Sequence, residues 1–289
     1  MNGIPHGPSK AGRWLAAVPY FRGLPFIRLS RQLYLDRCTV SDPALPPAFS
    51  GFTIAYASDI HYGAFLDHSR VVDLAEKLNA LDADLIILGG DYGDSAETCM
   101  EFWRILPPLR AHLGTYAVMG NHDRYHLSVR TLSMAMLRSG VTPLVNGCAK
   151  LTRSGQVLCI CATDDCNHGQ PDYQRTAADT RGADYVIYAP HSPDALAHAR
   201  KIGHQPFFQL ALCGHTHGGQ IAPLGIALHP STRLGWIYGQ RYRTGLIRDR
   251  GFRAVISNGT GTTWIPLRLG AKPQYHLIRL IKGDIQDEQ

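Results

Sequence analysis

A chain of 289 residues that is 45% hydrophobic and 18% charged has the balance of an ordinary globular protein, with room for one large α/β domain or two small ones. Its formal net charge of +6 points to anionic partners, such as phosphate esters, nucleic acid or anionic lipid, without bearing on the fold. Seven cysteines with no CxxC pair exclude a structural zinc ribbon and read as reduced, mostly buried thiols of a cytoplasmic protein, and no run reaches the roughly 18 apolar residues of a membrane span.

Residues 1–13 are rich in Gly, Pro and Lys and predict a loose terminus. Residues 14–35, WLAAVPYFRGLPFIRLSRQLYL, interleave aromatics with arginines, and Pro19, Arg22 and Pro25 break any export-signal pattern. This stretch reads either as a helical arm packed on the domain or as an amphipathic patch resting peripherally on an anionic membrane. DPALPP after it reads as a linker. Residues 1–45 are thus expected as arm and linker, 46–283 as the main domain and 284–289 as an acidic tail.

The regular body alternates strand and helix. FTIAYASD (52–59), ADLIILGGD (83–91) and GTYAVMGNHD (114–123) read as strands. SRVVDLAEKLNAL (69–81), AETCMEFWRILPPLRA (96–111) and SVRTLSMAMLRSG (128–140) read as amphipathic helices, the first with Val72, Ala75, Leu78 and Leu81 on one side. Shorter strands follow in KLTRSGQVLCICATDD, ADYVIYAPHSP, FQLALCGHTH, FRAVISNGTG and QYHLIRLI. The pattern predicts an α/β domain around two packed mixed sheets flanked by helices.

Polar residues recur where these strands end: Asp59 and His61 in SDIHYG, Asp91 in GGDYGD, Asn121, His122 and Asp123 in GNHD, His191 in PHSP, and His215 and His217 in GHTH. Ligands of open α/β sheets bind at the carboxyl ends of strands, so these loops should share one crevice. Carboxylates, a carboxamide and imidazoles make a mixed O/N donor set for Mn, Fe, Co, Ni or Zn. If the backbone stays extended, residues two apart point the same way, so Asp59 with His61, and His215 with His217, can each aim two donors into one cavity. Neighbouring glycines such as Gly90, Gly120 and Gly214 allow sharp turns and close approach.

The series SDIHYG, GGDYGD, GNHD, PHSP, GHTHGGQ resembles the calcineurin-like metallophosphoesterases, and within them the bacterial membrane-associated phosphodiesterase branch related to UDP-diacylglucosamine hydrolases. ATDDCNHGQPD (162–172) and SNGTGTTWIPLRLGAKPQYHLIRL (257–280) are similar to that branch as well, while Tyr62 and the pair Tyr92-Gly93 depart from its usual aliphatics. The resemblance implies a hydrolase with two divalent ions, manganese foremost, acting on a diester or pyrophosphate by a metal-bridging hydroxide. It implies Asp59, His61 and His217 around one ion, Asn121, His191 and His215 around the other, and Asp91 between them. It also implies His122 as the group that stabilises phosphate and protonates the leaving group, with Asp123 orienting it. His168 stands as a candidate substrate contact, and His68 and His126 stay unassigned.

Three other classes compete. A nucleic-acid or small-ester phosphodiesterase is compatible with the charge, but the cations are scattered, so no specific nucleic-acid partner is expected. A catalytically dead metal scaffold would need a broken donor set, and a serine hydrolase would need a G-x-S-x-G turn; the chain shows neither.

Overall fold

The computed structural model describes residues 27–29, 32–203, 205–227, 240–249 and 251–283. Its first large sheet holds six strands: β2 (Tyr34–Asp42), β3 (Thr53–Ala57), β4 (Leu85–Leu88), β5 (Thr115–Ala117), β6 (Thr142–Pro143) and β14 (Gln274–Lys282), in the order β2-β14-β3-β4-β5-β6. The second holds β7 (Gly147–Arg153), β8 (Gln156–Ala162), β9 (Tyr185–Tyr188), β10 (Leu210–Cys213), β11 (Gly245–Asp249) and β12 (Phe252–Ile256), in the order β11-β12-β10-β9-β8-β7. β1 (Ile27–Leu29) and β13 (Leu267–Leu269) form an antiparallel pair. The two large sheets are mixed and pack face to face, as expected.

Period-two alternation explains the layering. In β4 every residue is buried, Leu85 and Ile87 among Ile54, Tyr56, Leu158, Ile160, Ile187 and Leu212 between the sheets. Ile86 and Leu88 face the other way, toward Leu74, Leu78, Phe102 and Met136 of the helices. Those helices are α1 (His68–Asn79), α2 (Ala96–Ile105) and α4 (Val129–Arg138), with the short α3 (Asn121–His126) before the last. Further helices α5 (Tyr173–Asp179) and α6 (Asp194–Ala199) are short, and α6 packs on the outer face of the second sheet through Ala195, Leu196 and Ala199.

Local chemistry sets the limits of these elements. Asp67 caps α1, its carboxylate accepting from Arg70 N, and the buried stripe is Val71, Leu74, Ala75 and Leu78. That stripe sits slightly N-terminal of the expected one, so Val72 and Leu81 are only part-buried. Helix α2 ends at Ile105 and not at residue 111, because Leu106 precedes Pro107 and is extended at ψ 119°. Ser154 and Gly155, both with positive φ, turn β7 back into β8.

Two expectations at the N-terminal side need correction. The arm over 14–35 lies largely outside the described residues, and the parts described, β1 and the start of β2, are strand instead of helix. The domain also begins before residue 46: β2 pairs in parallel with β14 over nine residues, Tyr34 against Gln274 through Asp42 against Lys282. As an edge strand carrying part-buried Asp36 and exposed Arg37, it lacks the continuous apolar run that marks buried strands.

Candidate metal centre

Strands β3, β4 and β5 are parallel, as are β9, β10 and β12, and the loops after these strands meet at one edge of the sandwich. Contacts between loops lock them together. Asp59 N donates to Gly90 O, and Ile60 N and His61 N both donate to Asp91 O, at 2.9–3.0 Å. Across the sheets, His215 N donates to Asp59 Oδ1 at 2.8 Å and Thr260 N to Ser58 O at 3.0 Å.

The backbone here is not extended, which corrects the reason given for the paired donors. Asp59, His61, Asp91, His215 and His217 have φ of 51°, 50°, 59°, 69° and 51°, in the left-handed region that L-residues avoid. Each costs on the order of 1–2 kcal/mol, and the cross-loop hydrogen bonds hold them there. Asp59 and His61 thus reach one cavity by two successive left-handed turns around the buried Ile60, not by strand alternation. Likewise GNHD does not prolong β5: α3 begins at Asn121, with Gly120 as its N-cap.

The structure brings the expected residues together. The donor atoms of Asp59, His61 and His217 lie within 4.8 Å of one another, as do those of Asp91, His191 and His215, and those of His61, Asp91 and His122. Asp91 Oδ2 stands 3.6 Å from His61 Nε2 and 3.2 Å from His191 Nε2. Asn121 Oδ1 lies 3.1 Å from His191 Nε2 and 2.6 Å from His215 Nδ1. His122 donates its backbone N–H to Asp91 Oδ1 at 2.9 Å, and its ring centre is 4.8 Å from that of His61. His168 sits farther out, its ring 5.3 Å from that of Tyr125.

Outer contacts fix which nitrogen faces inward. His191 Nδ1 donates to Gly89 O at 2.7 Å, which turns Nε2 to Asp91 and Asn121. His61 Nδ1 lies 3.1 Å from Asp94 Oδ1, and the buried Nε2 has no hydrogen-bond partner among the described residues. Asp94 was missed in the sequence, although it is the second aspartate of GGDYGD; a spacing alone does not show that a carboxylate backs a histidine.

The expected role of Asp123 is corrected. Its carboxylate does not hold the His122 ring but accepts backbone N–H groups, from Asp91 and Gly120 at 2.8 Å and from Tyr92 at 3.0 Å. At the third position of α3, a fully buried carboxylate is aimed back into the turn before the helix. Burial and the charge of Asp91 push it up to about 6. Burial likewise pushes the His122 imidazole down to about 4. Burial opposes charge on Asp91 too, but the facing His191 and His122 hold its carboxyl well below the usual range.

The profile described as calcineurin-like phosphoesterase matches residues 52–219. The chain is 31% identical over 248 residues to the uncharacterized metallophosphoesterase YkuE of Bacillus subtilis, covering 84% of this chain and 83% of that protein. It is 30% identical over 240 residues to the phosphodiesterase YaeI of Escherichia coli, covering 80% and 82%. To a Bos taurus transmembrane protein with metallophosphoesterase domain it is 29% identical over 245 residues, covering 80% of this chain and only 53% of that protein. Among the described residues here, no helix is long and apolar enough to cross a membrane.

Proposed function

The chain belongs to the calcineurin-like phosphoesterase family and is a metal-dependent phosphohydrolase; we propose that it cleaves a phosphodiester or pyrophosphate bond with two divalent cations. Asp59, His61 and His217 would hold one ion, Asn121, His191 and His215 the other, and Asp91 would serve both. The observation that carries this reading is the orphaned Nε2 of His61. A buried imidazole tied to Asp94 through Nδ1 turns its other nitrogen toward Asp91, 3.6 Å away and beyond hydrogen-bond reach, with no hydrogen-bond partner among the described residues. Leaving such an atom unmet costs about 1–3 kcal/mol, and a cation there removes the cost. The donor set suits manganese, our first choice, as well as Fe, Co, Ni or Zn. When bound, such a pair lowers the pKa of coordinated water and offsets charge on phosphoryl oxygens.

The chain supplies the remaining chemistry. At neutral pH the part-buried His122 ring is uncharged and offers one N–H to a phosphoryl oxygen. Negative charge on bound phosphate favours the protonated ring, so His122 takes up a proton from solvent as phosphate binds, passes it to the leaving oxygen and returns to the neutral form. Asp123 acts at a distance, by fixing the backbone from which Asp91 and His122 project.

For substrate we propose an amphiphilic ester, lipid- or nucleotide-linked, such as UDP-diacylglucosamine, taken up at an anionic membrane surface. Supporting this, Leu224, Ile226 and Trp264 are 101%, 61% and 62% exposed, and Leu224 and Trp264 sit on left-handed turns. Their loops are joined at Gln220, three residues past His217: Nε2 donates to Thr263 O and Ile265 O, and Oε1 accepts from Thr263 N. Large apolar groups held out beside a phosphate site suit acyl chains or a bilayer. The test strips the enzyme with chelator and restores Mn, Co, Ni or Zn while following an aryl diester, a UDP-linked diacyl lipid and a short oligonucleotide. Full activity in stripped enzyme sinks the metal reading. Preference for the oligonucleotide sinks the lipid reading in favour of a nucleic-acid or soluble-ester phosphodiesterase.

A further inference from the structure

We propose that Arg268 is a positioning residue: it clamps the segments that meet behind His217 and thereby sets the affinity of the Asp59–His61–His217 site alone. The proposal rests on the two-ion reading, in that His217 is taken as a donor to one ion.

Arg268, in β13, is the largest fully buried side chain among the described residues, only 1% exposed. Its guanidinium reaches three stretches of chain. Nη1 donates to His217 O at 3.0 Å and to Ala271 O at 3.3 Å. Nε donates to Gly261 O at 3.0 Å, and Nη2 to Asn258 O at 2.7 Å and again to Gly261 O. Nη2 also lies 3.2 Å from His217 Nδ1. The grip on His217 O fixes the residue so that its Nε2 faces Asp59, 3.8 Å from Oδ1. His61 and His191 turn Nδ1 toward a carboxylate and a carbonyl; His217 is placed through its backbone carbonyl instead.

A buried guanidinium met by carbonyls is a costly way to fill space that Met or Leu would fill. What it adds is registration at one half of the centre. The segment it grips, 258–261, presses on the first donor: a Cβ at Gly259 would stand 2.5 Å from Asp59 Cβ, and one at Gly261 would stand 2.1 Å from Ile60 O. Gly261 N donates to Asp59 O at 2.7 Å. Both Asp59 and His217 therefore depend on this clamp, whereas the hydrogen-bond partners of Arg268 given above include none of Asp91, Asn121, His191 and His215. Burial lowers the guanidinium pKa to about 10, Asp59 working against the shift, so the group stays charged at neutral pH.

The test compares chelator-stripped full-length wild type with Arg268→Lys, Arg268→Met and Arg268→Ala, titrated with Mn(II) by equilibrium dialysis and with Co(II) by visible absorption. Wild type should take two ions. Arg268→Met should take one at wild-type affinity and the other at least tenfold more weakly, the scale of outer-contact effects on metal sites. Arg268→Lys should fall between, and free guanidinium ion added to Arg268→Ala should restore the second ion. Two ions at wild-type affinity in Arg268→Met overturn the proposal, as does equal weakening of both. Failure of every variant to fold, judged by circular dichroism, overturns it in favour of a structural role. A wild type that binds only one ion fails the two-ion reading itself, and the clamp then stands only if Arg268→Met still weakens that ion.

Discussion

Asp91 divides its carboxylate between two tasks: Oδ2 faces His61 and His191, while Oδ1 accepts the backbone N–H of His122. An amide in its place keeps the shape but removes the charge that both halves of the centre share. Asp91→Asn is therefore expected to lose both ions on dialysis. His122→Ala should keep them and lose about 10²–10⁴-fold in kcat, the usual worth of a positioned acid–base group. Metal loss from His122→Ala as complete as from Asp91→Asn would make His122 a ligand. Asp94→Asn tests the group behind His61, with an expected fall of about 10–100-fold in affinity for one ion, measured by competition with a chromophoric chelator. At this scale the donors themselves were legible, because each follows an apolar run and carries a side chain with one obvious chemistry. Asp94 and Arg268 were not, because their significance lies in which atom they touch, and Asp123 was misread because sequence adjacency to His122 does not give direction.

Elements were legible where burial is two-sided or amphipathic, as in β4 and α1, and were missed where it is neither. Strand β2 mixes part-buried Asp36 and exposed Arg37 with buried Val40, and only its partner β14, more than two hundred residues away, shows it to be a strand. The turns bearing Asp59, His61 and His217 were read as extended because left-handed φ at a non-glycine residue has no local signature; hydrogen bonds from another loop impose it. The status of β2 makes a prediction about truncation. Removing residues 1–26 leaves every described element in the chain and serves as the reference truncation. Removing 1–45 also deletes the buried Val40 and Leu45, each worth about 1.5–3 kcal/mol of burial, and bares one side of β14. Its melting temperature should fall roughly 5 °C or more below that of the shorter truncation. Equal melting of the two truncations would show that β2 adds nothing to the fold.

The whole molecule places its donors on two different sheets: Asp59, His61, Asp91 and Asn121 follow strands of one, and His191, His215 and His217 follow strands of the other. That the sheets would stack was legible from the run of strands and helices, but which loops face each other depends on the crossing of distant strands. Because the donors straddle the interface, ions bound there tie the sheets together at the edge where buried Asp59 and Asp91 would otherwise concentrate negative charge. Binding to the folded chain alone stabilises it by about 2.7 kcal/mol per site at a free concentration of one hundred times Kd. Two sites give about 5 kcal/mol, which corresponds to a rise of roughly 10 °C or more for a chain of this size. Differential scanning calorimetry of stripped and Mn-loaded protein should show that rise, largely absent in Asp91→Asn and reduced by about a quarter or more in Arg268→Met. Identical melting of stripped and loaded wild type would mean that the cluster binds no ion tightly enough to join the sheets.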